Sequence, residues 1–169
     1  MTTRDRIIDA AMRLFAENGY AGTSIAQIEA AAGLSPGSGG LYKHFRSKEA
    51  LLEAGVRARI DAPHDVDGLL RGLETAPDPR SALRAVAAAG LARLDAEADL
   101  NRILVRDLAA FPQLLAAFRE GELGRLHGLL TAAIRRLAPA HPDADAVAAV
   151  AIAAVSHHWL LAEIFDGDP

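Results

Sequence analysis

The sequence predicts an all-α fold, and three features carry that expectation. Ala, Leu, Arg and Glu dominate while isoleucine, valine and the aromatic residues are scarce, a balance that favours helix over strand. Apolar residues recur at three- and four-residue spacing along most of the chain. Helix start and stop residues punctuate that periodicity at regular intervals. With 169 residues, 51% of them hydrophobic and 24% charged, the chain is long enough to bury a core and too apolar to be disordered.

The first helix starts at a Thr2 or Thr3 cap and carries Ile7, Ile8, Ala11, Leu14 and Phe15 on one face. Asn18-Gly19 ends it, Gly19 being suited to a left-handed stop. Ser24 caps a short second helix, and Gln27 three residues later completes a capping box. Ile25 and Ile28 point inward, Gly33 stops the helix and Leu34 is the buried residue of the turn. Ser35-Pro36 opens a third helix, with Ser as N-cap and Pro in the first turn, and Leu41 and Phe45 form its core face. Ser47 caps a fourth helix to about Ala62, with Leu51, Leu52, Val56 and Ile60 along one side. Helical stretches are then expected over 65–74, 80–97, 100–110, 112–137 and 144–165. Pro77, Pro79, Pro112, Pro139 and Pro142 mark the breaks. No internal repeat or low-complexity segment is visible.

The chain has no cysteine, which excludes disulfides and thiolate metal sites. No signal peptide is visible, because Ile7 and Ile8 lie among Arg4, Asp5, Arg6 and Asp9. The longest apolar run, Ala146 to Val155, has ten residues, short of the roughly 20 that a spanning helix needs. A soluble, cytoplasmic protein without membrane contact is expected. The net charge of −4 is unevenly spread: residues 1–60 hold eight Lys/Arg against six Asp/Glu, and residues 61–169 hold ten against sixteen. Both lysines, Lys43 and Lys48, lie beside Arg46, giving a local basic edge of the kind nucleic-acid binders use.

Two short helices joined by a Gly-containing turn form a helix-turn-helix, in which one helix reads a groove while the other braces it. Here the brace is Ser24–Ala31 and the reader Pro36–His44. Residues 20–52 read YAGTSIAQIEAAAGLSPGSGGLYKHFRSKEALL. This stretch closely resembles the amino-terminal signature of the TetR family of bacterial transcriptional regulators. The shared features are an aromatic after Gly, a Thr/Ser-capped second helix, an Ala-Ala-Gly-apolar turn and the run Leu-Tyr-x-His-Phe-x-Ser-Lys-Glu-x-Leu-Leu. The resemblance covers roughly residues 5–55. Beyond it the chain resembles the family only in length, helicity and arrangement.

The resemblance implies roles for particular residues. Thr23 and Ser24 would meet a phosphate; Tyr42, His44 and Lys48 would contact the backbone; Ser35, Gly37, Ser38, Gly39 and Lys43 would lie nearest the base edges. The segment between Leu34 and Leu41 is about two residues longer than the commonest family form and holds three glycines, so the start of the reader is expected to be loose without DNA. Long side chains able to read bases are few, which points to backbone contacts, Lys43 and DNA shape as the source of specificity. The resemblance also implies a small-molecule effector of unknown identity within the carboxy-terminal bundle. Val86, Gly90, Phe111 and Phe118 are candidate lining residues, with Arg102, Arg106 and His127 as polar partners.

The last helix reads as a homodimer face, with Val150, Ala153, Ala154, His157, Trp159 and Leu161 as interface candidates. Its His157-His158 pair invites a metal reading, but adjacent histidines point about 100° apart and do not chelate together. Ser156 lacks the strand-turn-helix setting of a hydrolase nucleophile. Neither a metal, a cofactor nor an enzyme activity is therefore expected. The resulting expectation is a DNA-binding domain over residues 1–47 and a ligand-binding and dimerisation domain over 48–169, with helix 48–62 as connector. Its function is that of a repressor on a near-palindromic double-stranded operator, released by its effector. An activator or architectural DNA binder without a ligand, a helical enzyme and a protein-interaction module remain the alternatives.

Overall fold

The computed structural model of the chain describes residues 1–61 and 75–165, and among these every regular element is helical. The helix expected over 65–74 and the tail after Phe165 lie outside the described residues. The described chain divides into two compact units that interleave in sequence. One combines Met1–Ala62 with Ala98–Arg119; the other combines Pro63–Glu97 with Glu120–Pro169.

In the first unit, α1 (Thr3–Gly22) starts at a reciprocal cap: the Asp5 backbone N–H donates to the Thr2 hydroxyl, and the Thr2 N–H donates to the Asp5 carboxylate. The break expected at Gly19 is present as a kink with φ +81, after which one further turn runs to Gly22. Helix α2 (Ile25–Ala31) carries the predicted Ser24/Gln27 capping box, and α3 (Lys48–Ile60) is capped by the Ser47 hydroxyl. Both pack on α1. Gly55 of α3 faces Met12 so closely that a methyl group there would lie 2.8 Å from Met12 Cγ.

Helix α4 (Pro79–Ala96) belongs to the other unit. The chain then returns with α5 (Ala98–Arg106) and a 3-10 turn (Leu108–Ala110), where one helix over 100–110 is expected, and with α6 (Pro112–Phe118), the start of the expected helix 112–137. Helix α5 packs on α1 and α6 on α3. Ile7, Phe15, Ile28, Leu52, Ile103 and Leu108, all fully buried, belong to one continuous apolar cluster that draws on each of these segments.

In the second unit, α4 is capped by Asp78, whose carboxylate accepts from the Ser81 N–H. The predicted helix 112–137 is interrupted by a π turn (Arg119–Leu123) before α7 (Gly124–Leu137). The last helix, α8 (Ala144–Phe165), spans the residues expected of it and packs on α4 and α7. Gly90 of α4 permits that approach, since an added methyl would come within 2.9 Å of Val155 Cγ1. The indole N–H of Trp159 donates to Asp95 at 2.9 Å. Glu122, nearly buried in the π turn, pairs with Arg93 and with Arg125.

Candidate nucleic-acid interface

The residues after α2 do not form the helix expected over 36–44. Gly33, Gly37 and Gly39 adopt left-handed φ values of +74, +74 and +73, which L side chains rarely take. The chain turns through Ser35–Gly39 and then makes a single 3-10 turn, Gly40–Lys43. Two buried side chains hold this turn from below: Leu41 is fully buried and Phe45 is 5% exposed. With these two inside, Tyr42, Lys43 and His44 are left facing outward, and Tyr42 is 57% exposed. Arg46 is exposed beside them, and the Arg4 guanidinium lies 5.0 Å above the Phe45 ring. That contact brings a further cation to the segment, one that the sequence reading missed because Arg4 lies far away along the chain.

Of the residues assigned to phosphate and base contact, Ser24, Ser35, Gly37, Ser38, Tyr42, Lys43 and His44 are exposed and Gly39 is half-buried. Two behave differently. Thr23 is 1% exposed, and its hydroxyl donates to the carbonyls of Gly19 and Leu14. It therefore closes the end of α1 and does not offer that hydroxyl to a ligand. Lys48 donates from Nζ to the carbonyls of Tyr20 at 2.8 Å and Thr23 at 2.9 Å, with the Tyr20 ring 4.3 Å below it. The ammonium thus satisfies carbonyls at the carboxyl end of α1, where a cation is favoured. Burial, with the Glu49 charge secondary, pushes the Tyr20 phenol above its ordinary value.

Glu29 went unnoticed in the sequence. It is fully buried on α2, where its carboxylate accepts the N–H groups of Gly37 at 2.7 Å and Leu41 at 3.0 Å. The signal was present: Glu29 completes the stripe Ile25, Ile28, Ala32 at positions spaced three, four and seven residues apart, where an apolar residue is the rule.

The residues proposed to line an effector site are divided between the units. Arg102, Arg106, Phe111 and Phe118 lie in the first; Val86, Gly90 and His127 lie in the second. Arg106 reaches back to α1, donating to the carbonyls of Phe15 and of Ala16 and pairing with Asp107 at 3.2 Å. Asp107 in turn accepts the Tyr20 N–H at 3.3 Å, and Phe111 meets the Tyr20 ring edge-on at 4.8 Å. Arg102 pairs with Asp99, and Phe118 packs on the apolar cluster of the first unit. In the second unit Val86 packs on Ala82 and Ala133, Gly90 meets Val155, and His127 lies 3.1 Å from the carbonyl of Asp145.

On α8, Val150, Ala153, Ala154, His157 and Leu161 form one exposed face, with Val150 68% and Leu161 40% exposed. Trp159 does not join it. Two residues beyond His157 is about 200° around a helix, so the indole points to the packed side and is 7% exposed. By length and composition alone, Ala144–Glu163 is apolar enough to cross a membrane, with a mean hydropathy of 1.4. Its inner side, however, is occupied by Ala144, Ala148 and Trp159, all buried within the chain itself.

The family model for bacterial regulatory proteins of the tetR family matches residues 7–54. The HTH-type transcriptional repressor KstR2 of Rhodococcus jostii is 35% identical over 94 residues, which are 55% of this chain and 44% of that protein. The matched part covers less than half the length of the curated relatives. A solved transcriptional regulator from Rhodococcus sp. Rha1 aligns over 98% of this chain and 86% of its own, with 26% identity and a TM-score of 0.70. The regulator FadR of Bacillus subtilis, solved in complex with stearoyl-CoA, has the same fold at 20% identity, with a TM-score of 0.70 over 98% of this chain and 89% of its own.

Proposed function

We infer that this chain, whose residues 7–54 match the family model for bacterial regulatory proteins of the tetR family, is a repressor of that type that binds duplex DNA. The observation that carries this reading is the outward row Tyr42, Lys43 and His44, set on the buried anchors Leu41 and Phe45 inside the matched segment. Residues 1–47 would be the DNA-binding part and residues 48–169 the part that pairs and responds, with the helix after Ser47 as connector. Tyr42 and His44 suit phosphate oxygens, while Ser38, Gly39 and Lys43 suit the groove.

A second copy is the occupant we assign to the exposed face of α8. Val150 and Leu161 are apolar, Ala153 and Ala154 are small enough for close helix approach, His157 adds a ring that can stack across the pairing axis, and α7 with α8 from each copy would form a four-helix bundle. Two readers would then address half-sites roughly 34–36 Å apart on a near-palindromic site. A small effector bound by the carboxy-terminal part would release DNA if it favours the DNA-incompetent state. Stearoyl-CoA, present in the FadR structure, is the first compound to try. The setting of such a regulator is the cytoplasm.

The test is titration of the chain against duplexes selected from a random library, across a salt series. Lys43→Ala is expected to weaken binding and alter base preference at one position of each half-site. Tyr42→Ala is expected to weaken binding evenly across sequences. If neither variant changes affinity or preference, the interface lies elsewhere.

A further inference from the structure

The two N–H groups that Glu29 holds bracket the segment Gly37–Leu41. Between them lie Ser38, Gly39 and Gly40. Three glycines in five residues leave an unrestrained segment many conformations. The carboxylate removes that freedom by fixing both ends: Oε2 takes the Gly37 N–H and Oε1 takes the Leu41 N–H. Burying a carboxylate is costly, and it is tolerated where hydrogen bonds satisfy its oxygens. The α2 backbone contributes as well, because the Glu29 carbonyl accepts the Leu34 N–H at 2.8 Å.

We propose that Glu29 is a positioning residue for DNA reading, whose carboxylate sets the shape in which Ser38, Gly39 and Lys43 are offered to the groove and thereby sets base specificity. The inference rests on the DNA-binding reading above. It assigns specificity to a side chain that touches no DNA. A reader already held in its bound shape loses less freedom on docking, and a correct groove repays that shape more than an incorrect one does.

Glu29→Gln is the sharpest variant. It keeps the size of the side chain, but puts an NH2 where one of the two accepting oxygens stood, so one of the two N–H groups then faces a donor. Glu29→Ala removes both contacts. For each variant, amide exchange of Gly37 and Leu41 is measured in the free protein, with Ile8 and Leu52 as controls. The ratio of affinities for the wild-type-selected duplex and a random-sequence duplex is measured at one salt concentration. We expect Gly37 or Leu41 of Glu29→Gln to exchange about tenfold faster or more while the controls stay protected. The affinity ratio should fall about tenfold or more, with non-specific binding and its salt slope unchanged. A loss of global fold would instead move the controls and non-specific binding together. The proposal is overturned if Glu29→Gln keeps the affinity ratio within twofold, or if both loop amides stay protected. A wild-type chain that selects no duplex overturns the DNA reading itself and the specificity role with it. The exchange measurement then still decides whether Glu29 holds the loop.

Discussion

Replacing Lys48 with methionine separates two roles that one lysine can have. The ammonium donates to the carbonyls of Tyr20 and Thr23 at 2.8 and 2.9 Å, and it lies 4.3 Å from the Tyr20 ring centroid. A hydrogen bond involving a charged group is worth roughly 1.5–3 kcal/mol when buried, and a cation over an aromatic face about 0.5–1 kcal/mol at an exposed site. Lys48 is half-buried, so the lower end of each range applies, and methionine retains the stem's packing. The carbonyls at the end of α1 can recover some hydration. The expected loss is then about 2–3 kcal/mol, a large share of the roughly 5–15 kcal/mol that stabilises a domain. The assay is urea unfolding followed by circular dichroism, in which the midpoint should fall with little change in slope. Duplex binding is followed in parallel across a salt series below the transition. An unchanged midpoint together with a salt slope lowered by about one would refute the reasoning and return Lys48 to a phosphate.

Three further outcomes follow from the same contacts. Arg106→Ala uncaps the carbonyls of Phe15 and Ala16 and should cost about 1–3 kcal/mol in the same unfolding assay; unaltered stability would mean that this guanidinium serves something other than α1. Val150→Glu places a charge on the exposed face of α8 and should give monomers in light scattering, whereas a persistent dimer would move the interface elsewhere. Asp78 is held below its ordinary value of 3.8, first by the Ser81 N–H and then by the Ser81 hydroxyl. Because the folded value is depressed, its contribution is complete above about pH 3.8 and disappears as pH falls through the lower folded value. Asp78→Asn keeps a good cap without the titration, so it should flatten the acid limb of stability while leaving neutral stability nearly unchanged; an identical acid limb would count against the cap.

Local signals were reliable where one residue decides a boundary. Thr2, Ser24 and Ser47 begin helices as their hydroxyls suggest, and Gly19 breaks α1 where its sequence neighbourhood implies. Ser35-Pro36 carries an equally good start signal and begins no α-helix, because Gly37, Gly39 and Gly40 follow within one turn and two of them take left-handed φ. Partners distant in sequence were invisible. Arg106 reads from the sequence as a polar partner for a ligand or, equally, for Asp107 or Glu122; the Asp107 pair is present, but its other acceptors, the carbonyls of Ala16 and Phe15, lie 90 and 91 positions away. Trp159 is a different case, since helical geometry alone separates it from His157, and large aromatic area drew it into the wrong face.

The contact between Gly90 and Val155 has a further consequence. Helix α8 is two-sided: one flank lies against α4, and the opposite flank carries Val150, Ala154 and His157. A methyl group at position 90 would lie 2.9 Å from Val155 Cγ1, so either the Val155 side chain or α8 itself must shift. Under the pairing proposed above, any turn of the outward flank would alter how two copies meet, from a substitution hidden inside one of them. On that proposal a single interior carbon would also act on the spacing of the two readers, with no change to a residue that contacts either the partner or the duplex.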